Sequence, residues 1–402
     1  MIELIKGGSV TSAKGFIAGG TYAGLKRSGE DVLDLGLLYS EVLANVAATF
    51  TTNMVKSPSV VLSQRRVAKG KARAVVANSG CANACVGEQG LKDAEEFTAL
   101  AAKHVGIQPE EVLICSTGLI GVELPMALIR HNIGNIHLSE HGGHKFARAI
   151  MTTDSHPKEM AISVDLSGRK VTLGGAAKGV GMIHPNMATM LCFIATDAPV
   201  GLEFLRKATK EAIETSFNQI DVDGDTSTND TCIVMANGKA GGQPVEANPA
   251  DAKAFQEALT YICISLAKEL ARDGEGAQRL LEVVVDGAKT VADARKAARE
   301  VCGSNLVKSM VHGRDPNWGR IMMALGKSGI DFDESKVDIF INDIHIVHDG
   351  VSIPYMKEAV ISAMSVPDVQ FRLSLHAGEA SGTAWGCDLT EEYVTFNSAY
   401  AT

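Results

Sequence analysis

Cysteine, proline and aromatic residues are all sparse in this chain, and each shortage narrows what the protein can be. Eight cysteines occur in 402 residues, with 11 prolines. The cysteines stand apart at Cys81, Cys85, Cys115, Cys192, Cys232, Cys263, Cys302 and Cys387, without a C-x-x-C pair. This spacing argues against a disulfide scaffold or a structural zinc site and suits a reducing, cytoplasmic compartment. Two Trp, six Tyr and twelve Phe are too few for a base-stacking platform. Positive charge is in deficit, 38 Lys and Arg against 47 Asp and Glu, for a net charge of −9. No overall basic field draws the chain to nucleic acid or anionic lipid, and neither partner is expected. The longest apolar run, Met187 to Thr196, falls well short of the ~20 residues that span a bilayer. The opening Met-Ile-Glu-Leu-Ile-Lys lacks the basic, apolar and small-residue order of a signal peptide.

What is present is ample core material. Hydrophobic residues make up 46% of the chain, which excludes intrinsic disorder. At ~150 residues per domain the length suggests two or three domains. Neither an internal repeat nor a low-complexity segment is visible. Glycine gathers in small-residue runs, Asn78–Gly87 and Gly174–Gly181, where backbone can approach backbone or a ligand closely. Short apolar runs predict strands at 74–77, 111–115, 281–286, 337–341, 344–347, 369–375 and 393–396. Runs 160–166 and 170–173 flank Ser167-Gly168-Arg169 and read as a hairpin. Helical periodicity covers 91–104, 202–217, 251–272, 291–301 and 354–364, and Pro249 suits a helix start. Hairpins mixed with helices indicate an α/β chain with α+β layering, not strict βαβ alternation.

Several apparent signals carry less than they promise. Asp221-Val-Asp-Gly-Asp225 lacks the sixth-position Gly and twelfth-position Glu of a calcium loop. His137, His141 and His144 have the spacing of one helix face, but Gly142 and Gly143 interrupt a helix there. No metal is expected. Gly179-x-Gly181 is not a dinucleotide fingerprint. Cys115, inside an apolar run, reads as a small hydrophobe and not a nucleophile.

The segment from Lys178 to Leu191 differs. Small, flexible residues lead into Pro185-Asn186, then Thr189 and an apolar run. The bland reading is a loop entering a buried strand. The other reading is self-processing. A threonine hydroxyl can attack the carbonyl of the preceding residue through a five-membered ring, and hydrolysis of the resulting ester splits the chain. The new N-terminal Thr189 then holds a hydroxyl beside its own α-amine, whose ordinary pKa of ~7.7–8.0 makes it a usable base near neutrality.

Four blocks raise that reading: Asn78–Gly87, Ser116-Thr-Gly-Leu-Ile-Gly121, Lys178–Leu191 with its Met-Ala-Thr-Met-Leu, and Gly313-Arg-Asp-Pro-Asn-Trp-Gly-Arg320. In order and spacing they resemble the ArgJ family, the glutamate N-acetyltransferase/ornithine acetyltransferase enzymes of arginine biosynthesis. The likeness runs from Phe50-Thr-Thr-Asn53 to the terminal Asn397–Thr402. It implies a nucleophile at Thr189, cleavage between Ala188 and Thr189, and an oxyanion hole at Thr117 and Gly118. It implies substrate contacts from Thr152, Lys178, Thr189, Glu275, Asn397 and Thr402. Glu275 suits an ammonium group and Lys178 a carboxylate, and Thr153 is an equivalent neighbour of Thr152. The chain departs from the family pattern at Cys81, Val180 and Ser398-Ala399, away from the nucleophile and oxyanion residues.

The resemblance further implies an N-terminal-nucleophile type fold. Residues 1–188 would be an alpha chain carrying the oxyanion hole, and 189–402 a beta chain with a smaller C-terminal α+β part from about 281. The expected assembly is a heterotetramer of two alpha and two beta chains. The expected reaction moves acetyl from N2-acetyl-L-ornithine to L-glutamate by a ping-pong route. No cofactor is expected, and acetyl-CoA is a further candidate co-substrate. The absence of a P-loop or comparable phosphate cradle leans toward acetylornithine as the only donor. The alternative is an N-terminal-nucleophile amidohydrolase or aminopeptidase, which would pass the same acyl-enzyme to water.

Overall fold

The computed structural model describes residues 1–26, 29, 32–184 and 190–399. Two sheets organise them. The first joins nine strands: β1 (Ile2–Ile5), β2 (Phe16–Thr21), β3 (Leu35–Phe50), β4 (Lys71–Cys81), β5 (Val112–Leu119), β6 (Lys158–Leu166), β7 (Arg169–Lys178), β8 (Leu191–Thr196) and β10 (Thr231–Ala236). The second joins seven: β9 (Ile220–Asp221), β11 (Leu280–Ala288), β12 (Asp338–Ile341), β13 (Ile344–His348), β14 (Val351–Ser352), β15 (Asp368–Ser374) and β16 (Ala380–Cys387).

The long strand β3 decides the shape of the first sheet. Residues 35–40 pair with β2, and residues 35–39 also pair with β4. Residues 45–50 pair with β10. The β3–β4 register shifts between Tyr39 and Ala44, so the sheet bends over on itself. The fold-over encloses one core, where Leu38, Val75 and Leu113 meet Phe193, Ile233 and Met235. Period-2 alternation sends the intervening side chains outward. Cys192, Ile194 and Val234 pack against α5 (Leu202–Glu214) and α6 (Pro249–Arg272). Ala74, Val76 and Ile114 pack with Phe97 and Ala101 of α2 (Gln89–Val105). Helices α1 (Pro58–Val67), α3 (Met126–Asn132) and α4 (Gly143–Ala149) complete this covering.

The second sheet has its own core beneath α7 (Val291–Cys302), α8 (Asn305–Gly313), α9 (Trp318–Lys327) and α10 (Lys357–Ala363). Six of its strands follow from β11 at Leu280 onward, and β9 from earlier in the chain joins it by pairing with β16. Layered helices and mixed sheets agree with the α/β reading.

Local chemistry explains the elements that were legible. Ser167 (φ 50°) and Gly168 (φ 81°) take the two positive-φ positions of a two-residue hairpin turn between β6 and β7. Asn248 accepts the Ala250 N–H at 2.9 Å and Pro249 opens α6. One expectation fails. Residues 393–396 lie inside α11 (Glu391–Ala399), not in a strand. Tyr-Val-Thr-Phe has strand composition, but Glu391 and Glu392 occupy the first turn, where acidic groups favour a helix N-terminus. Among the described residues no helix is long and apolar enough to cross a membrane.

Candidate active site

The fold-over brings the ends of β5 and β7 together. Lys178, the last residue of β7, donates from Nζ to Thr117 Oγ1 at 3.3 Å. With an ammonium on its oxygen, the Thr117 hydroxyl can direct its proton at another acceptor. Gly118 follows at φ 126°, and a Cβ there would lie 2.3 Å from the Gly80 carbonyl carbon. That position takes glycine alone. The β4–β5 register is irregular at Gly80 and Cys81, and such breaks in a ladder often re-aim groups beside active sites.

Lys178 also faces Leu191 across the β7–β8 pair. Just before Leu191, buried Met190 donates its N–H to Asp230 Oδ1 at 2.9 Å and accepts the Thr231 N–H at 3.0 Å. The residue following the expected nucleophile is therefore held at both its backbone groups. Ala188, Thr189 and Thr402 themselves lie outside the described residues.

A second charged group lies behind Lys178. Asp154 Oδ1 accepts Lys158 Nζ at 2.6 Å and the Gly179 N–H at 2.8 Å, and its Oδ2 accepts the Thr152 N–H at 3.0 Å. Lys158 also pairs with Asp273 at 2.6 Å. Burial pushes the Asp154 carboxyl up, but Lys178, Lys158 and these hydrogen bonds outweigh it and hold it down to about 2. Burial lowers Lys178, with Asp154 opposing. Burial also brings Lys26 down to about 8, and its Nζ donates to the Met151 carbonyl at 2.9 Å. Asp230 moves the other way, because complete burial lifts its carboxyl well above the usual range.

Glu275 sits just past the end of α6. Its N–H donates to the Val180 carbonyl at 2.8 Å. Thr153 Oγ1 donates to Oε1 at 2.9 Å, and Asn397 Nδ2 of α11 donates to Oε2 at 2.9 Å. Gly181 admits the carboxylate, since a Cβ there would lie 2.6 Å from Oε2. Tyr393 of the same helix donates to Asp223 at 3.3 Å, and Asp223 accepts the N–H groups of Met182 and Ile183 at 2.6 and 2.8 Å. The 178–183 segment is thus pinned from three directions.

The structure therefore brings Thr117, Gly118 and Lys178 into one group and Glu275 and Asn397 into another, joined by residues 178–181. Thr153, not Thr152, makes the side-chain contact to Glu275. Sequence reasoning missed Asp154, Lys158, Asp230 and Lys26. Their only signal was a charged residue beside an apolar run, as in Met151-Thr-Thr-Asp154 and Ser227-Thr-Asn-Asp230. Burial pushes the Cys115 thiol far up, which suits an inert core residue. His144 pairs with Glu159 at 2.7 Å, while His137 and His141 precede the start of α4. Asp223 binds backbone.

The comparisons agree over most of the chain. The ArgJ family profile matches residues 17–402. The arginine biosynthesis bifunctional protein ArgJ of Symbiobacterium thermophilum is 50% identical over 397 residues, covering 98% of this chain and 99% of that one. The protein of the same description from Dehalococcoides mccartyi is 47% identical over 401 residues, 100% of this chain and 99% of its own. A solved chain of the Bacillus halodurans protein so described is 40% identical, with a TM-score of 0.51, and covers 52% of this chain and 98% of its own. Matched in sequence nearly from end to end, with its sheets and helices layered as that membership requires, the chain belongs to the ArgJ family of acyltransferases.

Proposed function

We propose that this enzyme transfers acetyl from N2-acetyl-L-ornithine to L-glutamate after cleaving itself between Ala188 and Thr189. The observation that carries the reading is the Lys178–Thr117 contact beside Gly118, next to the anchored Met190. An oxyanion hole needs preset donors where negative charge develops. A threonine hydroxyl whose oxygen already accepts from a lysine, followed by a glycine N–H, supplies such a pair. Thr189 Oγ attacks the acetyl carbonyl, and its own α-amine takes the proton. Collapse of the tetrahedral adduct breaks the amide and passes that proton to the leaving ornithine amine. The amine of glutamate then attacks the acetyl ester, loses its proton to the same base, and Thr189 is restored.

Both amino acids carry an α-carboxylate, and the ammonium groups of Lys178 and Lys26, close enough to repel each other, suit it. Glu275, held by Thr153 and Asn397, suits an ammonium. Thr152 and Thr402 complete the proposed substrate contacts. The half-length Bacillus halodurans chain fits a protein that exists as two segments split near its middle. This supports an alpha chain of residues 1–188 and a beta chain of 189–402; two of each form the proposed heterotetramer. The relatives are described as bifunctional, which favours acetyl-CoA as a second donor over the single-donor form that the missing phosphate cradle suggested.

Intact mass under denaturing conditions is the test. The parent protein should give two chains, the second beginning at Thr189, and should transfer acetyl to glutamate. Thr189→Ala should stay uncut and lose activity by on the order of 10⁶-fold, as loss of a hydroxyl nucleophile does elsewhere. A cleaved or active Thr189→Ala protein would overturn the assignment. Release of free acetate faster than acetyl-glutamate would replace the transferase with a hydrolase.

A further inference from the structure

The far end of the second sheet carries a cluster that acyl transfer does not use. Asp338 opens β12, and the turn at Asn342-Asp343 returns the chain as β13, with Phe340 opposite His345. Asp338 Oδ1 lies 2.9 Å from His348 Nδ1 and 3.8 Å from His345 Nε2. Its Oδ2 lies 2.9 Å from Nε2 of His376, just past β15. One donor atom from each of Asp338, His345 and His348 lies within 4.8 Å of the others, the sole such grouping found among the described residues.

An ordinary ion-pair network accounts for His348 and His376, which both bond the carboxylate. It reaches His345 only loosely, because Nε2 stands 3.8 Å from Asp338 Oδ1, within ion-pair range but beyond a hydrogen bond. That ring stacks on Phe340 with centroids 4.2 Å apart and planes 14° apart, and Arg372 covers the Phe340 ring at 3.9 Å. The stack aims Nε2 toward Asp338 yet leaves this nitrogen buried without a hydrogen-bond partner. A buried polar atom without a partner calls for an explanation, and a bound ion is one of the ordinary ones.

We propose that Asp338, His345 and His348 bind a divalent transition-metal ion, Zn²⁺ foremost. Imidazole nitrogens select against Mg²⁺ and Ca²⁺, and two histidines with one carboxylate suit zinc with water completing the shell. The ion replaces the proton between His348 Nδ1 and Asp338 Oδ1, which leaves to solvent. His345 and His348 are partly exposed, so their rings can close from the present spacing to the ~2.0–2.2 Å of zinc bonds. His376, bonded to the second carboxylate oxygen, orients the ligand in the way outer-shell partners do. The bound ion would clasp β12 to β13, with His376 tying Asp338 to the end of β15. This proposal is independent of the acetyl-transfer reading.

The test is titration of Zn²⁺ into the untagged, full-length protein after chelator treatment and dialysis, followed by calorimetry. One equivalent per 402-residue sequence should bind. His345→Ala with His348→Ala should abolish that binding while acetyl transfer is unchanged, and His376→Ala should weaken it by ~10–100-fold. Circular dichroism confirms that each variant is folded. Zinc uptake that the double variant retains, or no uptake by the parent, would overturn the site. Co²⁺ provides a second readout, and a thiolate charge-transfer band in its spectrum would place the metal on cysteine and refute the proposal.

Discussion

The two sheets hold their charged clusters under opposite conditions. Beside the first, Asp154, Lys158, Lys178 and Asp230 are buried almost completely. At the end of the second, His345, His348 and His376 surround Asp338 in partial contact with water. Burial dominates the first group. It raises Asp230, lowers Lys178 and leaves Asp154 ionised only because two lysines outweigh it. In the second group burial is the largest single effect and raises Asp338, but the hydrogen bonds it accepts from His376, His348 and the Asp349 N–H together overcome it and lower the carboxyl. Charges in a dry site are expensive to keep, and apolar replacement is often more stable. Their place next to Thr117 and Met190 fits the proposed acyl-transfer site. The half-wet cluster costs little and can exchange a proton for an ion.

The comparison can be broken most forcefully at Asp154. Asp154→Asn removes the counter-charge shared by Lys158 and Lys178 and should destabilise the fold by ~3–5 kcal/mol, read from urea denaturation. The pH dependence follows from the depressed folded pKa. Asp154 contributes stability above the ordinary carboxylate value of ~3.9, and that contribution is lost as pH falls from there toward about 2. The variant should lack this part of the acid limb. An unchanged acid limb would mean that Asp154 does not carry it.

Next comes Thr117. Thr117→Val keeps shape but deletes the hydroxyl, and kcat should fall ~10²–10³-fold with KM little changed. Lost stability with unaltered kcat would reduce Thr117 to a packing residue.

The smallest effect belongs to the second cluster. The hydrogen bond that His348 donates to Asp338 raises the imidazole above its ordinary value. Its stabilisation is therefore fully present below pH ~6.5 and lost as pH rises through the higher folded value. His348→Gln should lower Tm slightly at pH 5.5 and leave it unchanged at pH 9, without metal. An equal effect at both pH values would show that the ion pair contributes nothing.

Local features were legible because their causes are local. Ser167-Gly168 announces a turn, since only a few residue types accept positive φ there. Pro249 after Asn248 marks a helix start for the same kind of reason. Residues 393–396 misled because strand propensity is weak beside helix-end charge and tertiary context. Strand β3 escaped notice: its 16 residues run through a register shift, and both of its faces pack against apolar cores, so it lacks a clean apolar–polar alternation. Lys178 and Glu275 could be named from the family likeness, but their partners could not. Thr117 and Lys178 are 61 residues apart, and Asn397 lies 122 from Glu275.

By itself the sequence determined the chain's class, its apolar supply, its local turns and caps, and its membership in a family through four ordered blocks. These rest on residue identity and short-range sterics. The tertiary structure alone decided which charges share a dry site. The fold-over at β3 carries the end of β5 to the end of β7, and only then does a lysine reach a threonine hydroxyl. It likewise decided that His376, 38 residues on, joins the two hairpin histidines at one carboxylate, because strand register sets which side chains face each other and no local rule contains that register.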